Sequence, residues 1–141
     1  MGTWVRVGKT IPAMALGIAM LSTQTIHAQE DTVARLEAEA AASPDRLELG
    51  VSLGNAAVAV GKFDLALSSY RNVLAKVDPD SEGAADLYLR IGEVQRRKGD
   101  LAGAVQSLTR ASAMQPDNPA AVGTLAMVLE ASGRSGEAVQ N

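Results

Sequence analysis

No stretch of the chain alternates β-branched apolar residues with polar ones, so the hydrophobic pattern predicts no sheet. From residue 47 onward the apolar residues fall into segments of helical length, which glycines and prolines separate. The pattern predicts two kinds of helix in alternation. First helices are expected at Leu47–Val60, Ala84–Lys98 and Asn118–Ser132, and second helices at Phe63–Lys76 and Leu101–Met114.

The amino-terminal residues have the layout of a secretory signal peptide. Met1–Lys9 carries two basic residues and no acid, the apolar run Ile11–Leu21 follows, and a short polar stretch ends at the small residue Ala28. The run is shorter than the roughly 20 residues that span a bilayer. We therefore expect residues 1–28 to be cleaved and the protein to be exported to the periplasm or secreted, with only transient membrane contact. The alternative is an uncleaved membrane anchor.

Three glycines set the frame of an internal repeat, at Gly61, Gly99 and Gly133. Their spacings are 38 and 34 residues. An aliphatic residue lies eight positions before each glycine, a small residue lies seven before, and an alanine lies five after. In chain order these landmarks are Leu53, Gly54, Ala66, Ile91, Gly92, Ala104, Leu125, Ala126 and Ala138.

This spacing resembles the tetratricopeptide repeat, a helix–turn–helix unit of 34 residues. The resemblance implies an all-α fold: a right-handed superhelical α-solenoid of antiparallel helix pairs. It divides the chain into a signal peptide (1–28), an amino-terminal capping helix (29–46), a first repeat (47–84), a second (85–118) and a truncated third (119–141). Asp31–Ser43, with Val33, Leu36 and Ala40 at helical spacing, forms the capping helix.

The landmarks have mechanical roles within such a repeat. Leu53 fills the space between paired helices, and Gly54 lets the neighbouring helix approach closely, which justifies a glycine inside a helix. Gly61 is expected to turn the chain through the left-handed region after the helix end. Ala66 faces the first helix at the crossing. The corresponding residues of the other units are expected to do the same.

The chain stops at Asn141, shortly after the start of another expected second helix. Such a stub is too short to hold a helix alone. Three possibilities stay open: the chain is the amino-terminal segment of a larger exported protein with a catalytic or membrane domain downstream, a partner covers the last first helix, or the chain self-associates through its third repeat.

The composition argues against a catalytic or metal-binding function. The chain has no cysteine, and its one histidine lies at position 27, inside the expected signal peptide. We expect no catalytic residue, no metal site and no cofactor. Asp78, Asp80 and Glu82 alternate along one loop but lack the rest of a calcium motif. The net charge of −3 argues against a nucleic-acid partner.

The resemblance implies a binding function instead, on a concave surface that the first helices line. An apolar surface with a few opposite charges suits an extended peptide or a helix of another protein. Some family members bind a terminal carboxylate there, and only Asn55 matches that pattern. The expected role is a scaffold or adaptor in envelope assembly or secretion. The candidate partner-binding residues are Val51, Asn55, Arg90, Glu93, Arg97, Met127 and Glu130.

Overall fold

A computed structural model describes residues 13–133 of the chain, with side chains from residue 22 onward. Within that range the chain forms six α-helices and no strand, as the pattern predicted. The helices are α1 (Ala13–Ala42), α2 (Leu47–Ala59), α3 (Phe63–Leu74), α4 (Glu82–Lys98), α5 (Leu101–Met114) and α6 (Pro119–Ala131).

Each helix packs against the helices that precede and follow it in the chain, and α4 also contacts α6. Because short connections join these helices, neighbouring helices run antiparallel. A chain whose contacts run almost entirely between consecutive elements is an α-solenoid rather than a bundle around one centre. The structure thus confirms the predicted fold class.

Glycines end the first helices. Gly61, Gly99 and Gly133 have φ angles of 75°, 88° and 77°, in the left-handed region that other residues rarely adopt. A Cβ atom at any of the three would have nothing within 4 Å, so their requirement is for backbone conformation and not for space.

Polar side chains begin three of the helices by accepting hydrogen bonds from free backbone N–H groups. Ser81 accepts from Ala84 N, Asp100 accepts from Gly103 N, and Asn118 accepts from two amides at the start of α6. Because Ser81 is a strong cap, α4 begins at Glu82, two residues before the predicted start.

The connection between α3 and α4 is longer than the other connections between described helices, and it forms a structured turn. Asp78 Oδ1 accepts a hydrogen bond from the Asp80 amide, and the Ser81 hydroxyl donates to the Asp78 carbonyl. The alternating acids of this loop therefore include one that shapes the turn before the Ser81 cap.

The first helix is longer than predicted. A capping helix was expected over Asp31–Ser43, but α1 runs without a break from Ala13 to Ala42. No glycine or proline interrupts residues 22–42, so nothing local ends the helix at the expected cleavage site. Residues 22–32 are all exposed, and Val33 is the first buried residue among those whose side chains are described, at 1% exposure. Among the described residues, no helix has the length and apolar character needed to cross a membrane.

Paired helices touch through the small residues that the repeat placed there. A Cβ atom on Gly54 would lie 2.3 Å from Cε1 of the Tyr70 ring, and one on Gly92 would lie 2.6 Å from Leu108 Cγ. Ala66 and Ala104 are fully buried. Two apolar clusters surround these contacts. The first is Ala57, Ala66, Leu67, Tyr70, Val73, Leu87, Ile91 and Val94, and the second is Ala104, Leu108, Leu125, Val128 and Leu129.

Substituting Gly54→Ala is expected to lower the free energy of unfolding by about 1–3 kcal/mol, because the new methyl group overlaps the Tyr70 ring. The matched control is Gly123→Ala. Gly123 lies inside α6 with nothing within 4 Å of a Cβ atom, so this change should raise stability by about 0.5–1 kcal/mol through helix propensity. Urea unfolding followed by circular dichroism measures both. A Gly54→Ala protein as stable as the wild type would show that close approach is not required.

Candidate protein-binding surface

The predicted binding residues are distributed over the three first helices, whose outer side we call the first-helix face. Val51 and Asn55 lie on α2, Arg90, Glu93 and Arg97 lie on α4, and Met127 and Glu130 lie on α6. Val51 and Glu93 are half-buried, and the other five are exposed.

A hydrogen-bonded group centred on Asn55 joins three helices on this face. Its side-chain oxygen Oδ1 accepts from the Tyr70 hydroxyl at 2.7 Å and from Arg90 Nη1 at 3.0 Å. Asn55 and Arg90 are 35 positions apart in the sequence. Asn55 and Arg90, which were predicted separately, are therefore parts of one hydrogen-bonded group. The bond to Asn55 holds the Arg90 guanidinium in place and leaves its other N–H donors available.

Tyr70 is the member that sequence analysis missed as a surface residue. The residue is only 2% exposed, with its ring against Gly54 and its hydroxyl hydrogen-bonded to Asn55. Burial raises the pKa of Tyr70 above the ordinary value, and the Arg90 charge partly opposes this. The charges of Glu93 and Arg97 also act on the pKa of Tyr70, and their effects are opposite in direction. The sequence signal for its position was the repeat spacing, because Tyr70 lies nine residues after Gly61 as Leu108 lies nine after Gly99.

An apolar cleft adjoins this group between α2 and α4. We call it the α2–α4 cleft; its volume is about 240 Å³. Its apolar lining residues are Leu47, Val51, Val73, Val77 and Leu87. Its polar lining residues are Glu48, Asp86 and Arg90, together with Gly83.

The charged rim of the α2–α4 cleft carries both signs. Glu48 is fully exposed in the first turn of α2, where a backbone hydrogen bond and the Arg46 side chain lower its pKa. Arg46 Nε donates to Glu48 Oε1 at 3.0 Å. Asp86 and Arg90 bring one more charge of each sign. An apolar floor with a mixed rim suits a partner that inserts an aliphatic side chain and pairs its polar groups at the edge.

Other candidates lie farther along the face. Two large apolar side chains are exposed in the described part of the chain, and Met127 is the more exposed of them, at 56%. Neither Met127 nor Glu130 hydrogen-bonds to the Asn55 group. In the basic run at the end of α4, Lys98 Nζ forms an ion pair with Asp64, which joins α4 to α3. Arg97 stays exposed beside it.

The turn glycines Gly61, Gly99 and Gly133 are exposed, and the other described landmarks lie in the interior with one exception. Leu53, Ile91 and Leu125 are buried, at 6%, 3% and 3% exposure. Ala126, the counterpart of Gly54 and Gly92 in the third unit, is half-buried. Ala138 lies outside the described residues.

A model of the family described as "Tetratricopeptide repeat" matches the chain twice, over residues 51–119 and 89–140. The chain belongs to the tetratricopeptide repeat family. The two matches together cover more than half of the sequence and contain α3, α4, α5, α6 and most of α2. As a tetratricopeptide repeat protein the chain is a protein-interaction scaffold, since stacked helix pairs present an extended surface to other proteins.

Solved structures of MamA proteins share this tetratricopeptide fold. MamA from MSR-1 is 26% identical, with a TM-score of 0.67, over 89% of this chain and 68% of the MamA chain. MamA from AMB-1 is 27% identical, with a TM-score of 0.68, over 89% and 64%. MamA from Desulfovibrio magneticus RS-1 is 14% identical, with a TM-score of 0.71, over 85% and 66%. The chain thus spans about two thirds of these structures. No curated protein sequence matches it.

The buried phenol predicts a pH dependence. Because folding raises the pKa of Tyr70, the folded state favours the protonated phenol. Its stabilisation is complete below about pH 10, the pKa of an unfolded tyrosine, and is lost as the pH rises above that value.

In a Tyr88→Phe protein, where Tyr70 is the remaining tyrosine, the tyrosinate absorbance should appear above the pH at which free tyrosine titrates. In that background Tyr70→Phe should remove the tyrosinate signal altogether, and it should lower the free energy of unfolding by about 0.5–1.5 kcal/mol at neutral pH. Titration at the pH of free tyrosine in the folded protein would contradict the buried geometry.

Proposed function

We propose that this protein is an exported scaffold without catalytic activity that binds a protein or peptide segment on its first-helix face during envelope assembly or secretion. The observation that carries the proposal is the Asn55–Tyr70–Arg90 group beside the α2–α4 cleft. It combines a positioned polar group with an apolar cavity on a face that is otherwise solvated.

The geometry favours a partner with a defined pattern. The cleft accepts an aliphatic side chain between Val51 and Leu87, and burying such a side chain contributes about 1.5–3 kcal/mol. Arg90 lines the same cleft and is held by Asn55, so its free donors can pair with a carbonyl or carboxylate of the bound segment. A short extended segment or one helical turn presents these two groups close together.

Peptides selected by display against the wild-type protein should bind at least tenfold more weakly to Arg90→Ala and to Asn55→Ala, because each change removes or releases the positioned guanidinium. The matched control is Arg71→Ala, an exposed arginine on α3, outside the first-helix face. Calorimetric titration with the selected peptides measures the three affinities. Equal losses in all three variants, or no loss at Arg90, would place the binding surface elsewhere.

Two observations support export. The chain begins with the basic, apolar and small-residue order of a signal peptide. In the structure, residues 22–32 are all exposed and core packing starts at Val33. Cleavage after Ala28 would therefore remove no residue of the described core.

Mass spectrometry of the protein from fractionated cells should find a mature chain that begins at Gln29, in the envelope fraction. Ala28→Arg should block processing, because a large charged side chain does not fit where a small residue is needed, and the precursor should accumulate. Ala34→Arg, at an exposed alanine beyond the site, should be processed normally. A wild-type chain that keeps Met1 in the cytosolic fraction would overturn the export part of the proposal and leave the binding part untouched.

A further inference from the structure

A second cleft lies where α1, α2 and α3 meet, and we call it the α1–α3 cleft. Its volume is about 290 Å³. It shares only Leu47 and Val73 with the α2–α4 cleft, so it is a different surface. Its lining residues from α1 and the following turn are Ala40, Ser43, Pro44 and Arg46, those from α2 are Leu47, Gly50 and Leu53, and those from α3 and its end are Ser69, Asn72, Val73, Ala75 and Lys76.

The internal repeat explains why this space is open. Gly50 lies four residues before Gly54, and its counterpart in the second unit, 38 residues later, is Tyr88. The tetratricopeptide pattern has a large aromatic residue, tryptophan, at this position. The first unit is therefore missing the side chain that its fold normally places between the helices.

A larger residue on the facing helix partly fills the space left by the missing ring. Val73 stands where the second unit has Ala111, and a Cβ atom on Gly50 would lie 2.4 Å from Val73 Cγ2. The valine thus takes the space nearest the glycine. Valine and glycine together are much smaller than tyrosine and alanine, so the outer part of the ring position stays empty as the cleft.

The second unit shows what fills the equivalent space. Tyr88 is half-buried, and the Arg110 guanidinium carbon lies 5.6 Å from the centre of its ring. The residue equivalent to Arg110 in the first unit is Asn72, which lines the cleft. The scaffold can therefore hold an aromatic ring at this place between α-helices, and a cavity of about 150 Å³ already suffices for benzene.

The charged residues that line the α1–α3 cleft are all basic. Arg46 and Lys76 line the cleft, and no carboxylate does. Lys76 Nζ donates to the Pro44 carbonyl, which fixes the ammonium at the mouth without neutralising it. Glu48 pairs with Arg46 from outside the lining. The uncompensated cation at Lys76 favours an acidic group next to the inserted ring.

We propose that the α1–α3 cleft binds an aromatic side chain of a partner protein, flanked by an acidic residue, in the place that Tyr88 occupies in the second repeat. The ring packs on Leu53, Val73 and Ala40, and the flanking carboxylate pairs with Lys76. The partner supplies in trans the aromatic residue that the first repeat lacks. The scaffold then has two separate binding surfaces, one on each side of Leu47 and Val73.

The probe for this site is the blocked tripeptide acetyl-Asp-Trp-Asp-amide. Trp4→Phe protein removes the single tryptophan of the chain, so all indole emission comes from the peptide. We expect saturable binding with a blue-shifted emission and with shifts of the Gly50 and Val73 amide resonances. Acetyl-Asp-Ala-Asp-amide should cause no shift at these amides. The control variant Gln106→Ala, at an exposed position on α5 outside both clefts, should bind the tryptophan peptide as the parent does.

Two variants test the site itself. Gly50→Tyr combined with Val73→Ala copies the Tyr88 and Ala111 pair, so it should weaken binding at least tenfold while raising the midpoint of thermal unfolding. Lys76→Glu, at an exposed position, should weaken the acidic peptide at least threefold and favour acetyl-Lys-Trp-Lys-amide. If the double variant fails to fold, Lys76→Glu decides the matter alone. Absence of saturable binding, shifts confined to the first-helix face, or unchanged affinity in Lys76→Glu would overturn the proposal.

Discussion

The structure depends on how closely paired helices can approach each other. At Gly54 the ring of Tyr70 occupies the volume of a missing side chain, and at Gly92 the side chain of Leu108 does the same. The large residue on one helix and the glycine on the other fix both the distance and the register of each pair. Because consecutive pairs use the same device, the chain builds a regular stack from mostly small and aliphatic residues.

The surface chemistry follows from the same contact. Tyr70 can donate to Asn55 only because its ring passes Gly54, and Asn55 then positions Arg90 of the next unit. A packing residue thus becomes part of a polar group that spans three helices. The first-helix face is ordered at this point by the interior beneath it, so a segment that binds there as proposed would restrict little further side-chain freedom.

The features that repeat along the chain could be predicted from the sequence, whereas those that depart from the repeat could not. Helix ends at Gly61 and Gly99 could be predicted because a left-handed turn selects glycine. The length of α1 could not, since a processing signal and a helix favour similar residues over 22–30. The α4 start differed by two residues because the Ser81 cap acts through local geometry.

The candidate site shows the same limit. Asn55 and Arg90 were predicted individually as surface residues, but their hydrogen bond depends on the rotation of α4 relative to α2, which spacing alone does not give. The α1–α3 cleft could not be predicted from the sequence for another reason. A glycine at position 50 satisfies helical patterning, and only the neighbouring residues Val73 and Asn72 show that nothing replaces the ring.

The order of contacts along the stack also has a dynamic consequence. Among the described helices, α4 packs extensively on α3, α5 and α6, whereas the extensive contact of α1 is with α2. In an array with nearest-neighbour coupling, opening starts where an element has one interface and stops where it has several. The α1 end therefore opens more readily than the middle of the stack, so the α1–α3 cleft lies in the part of the molecule that can most easily adjust its width.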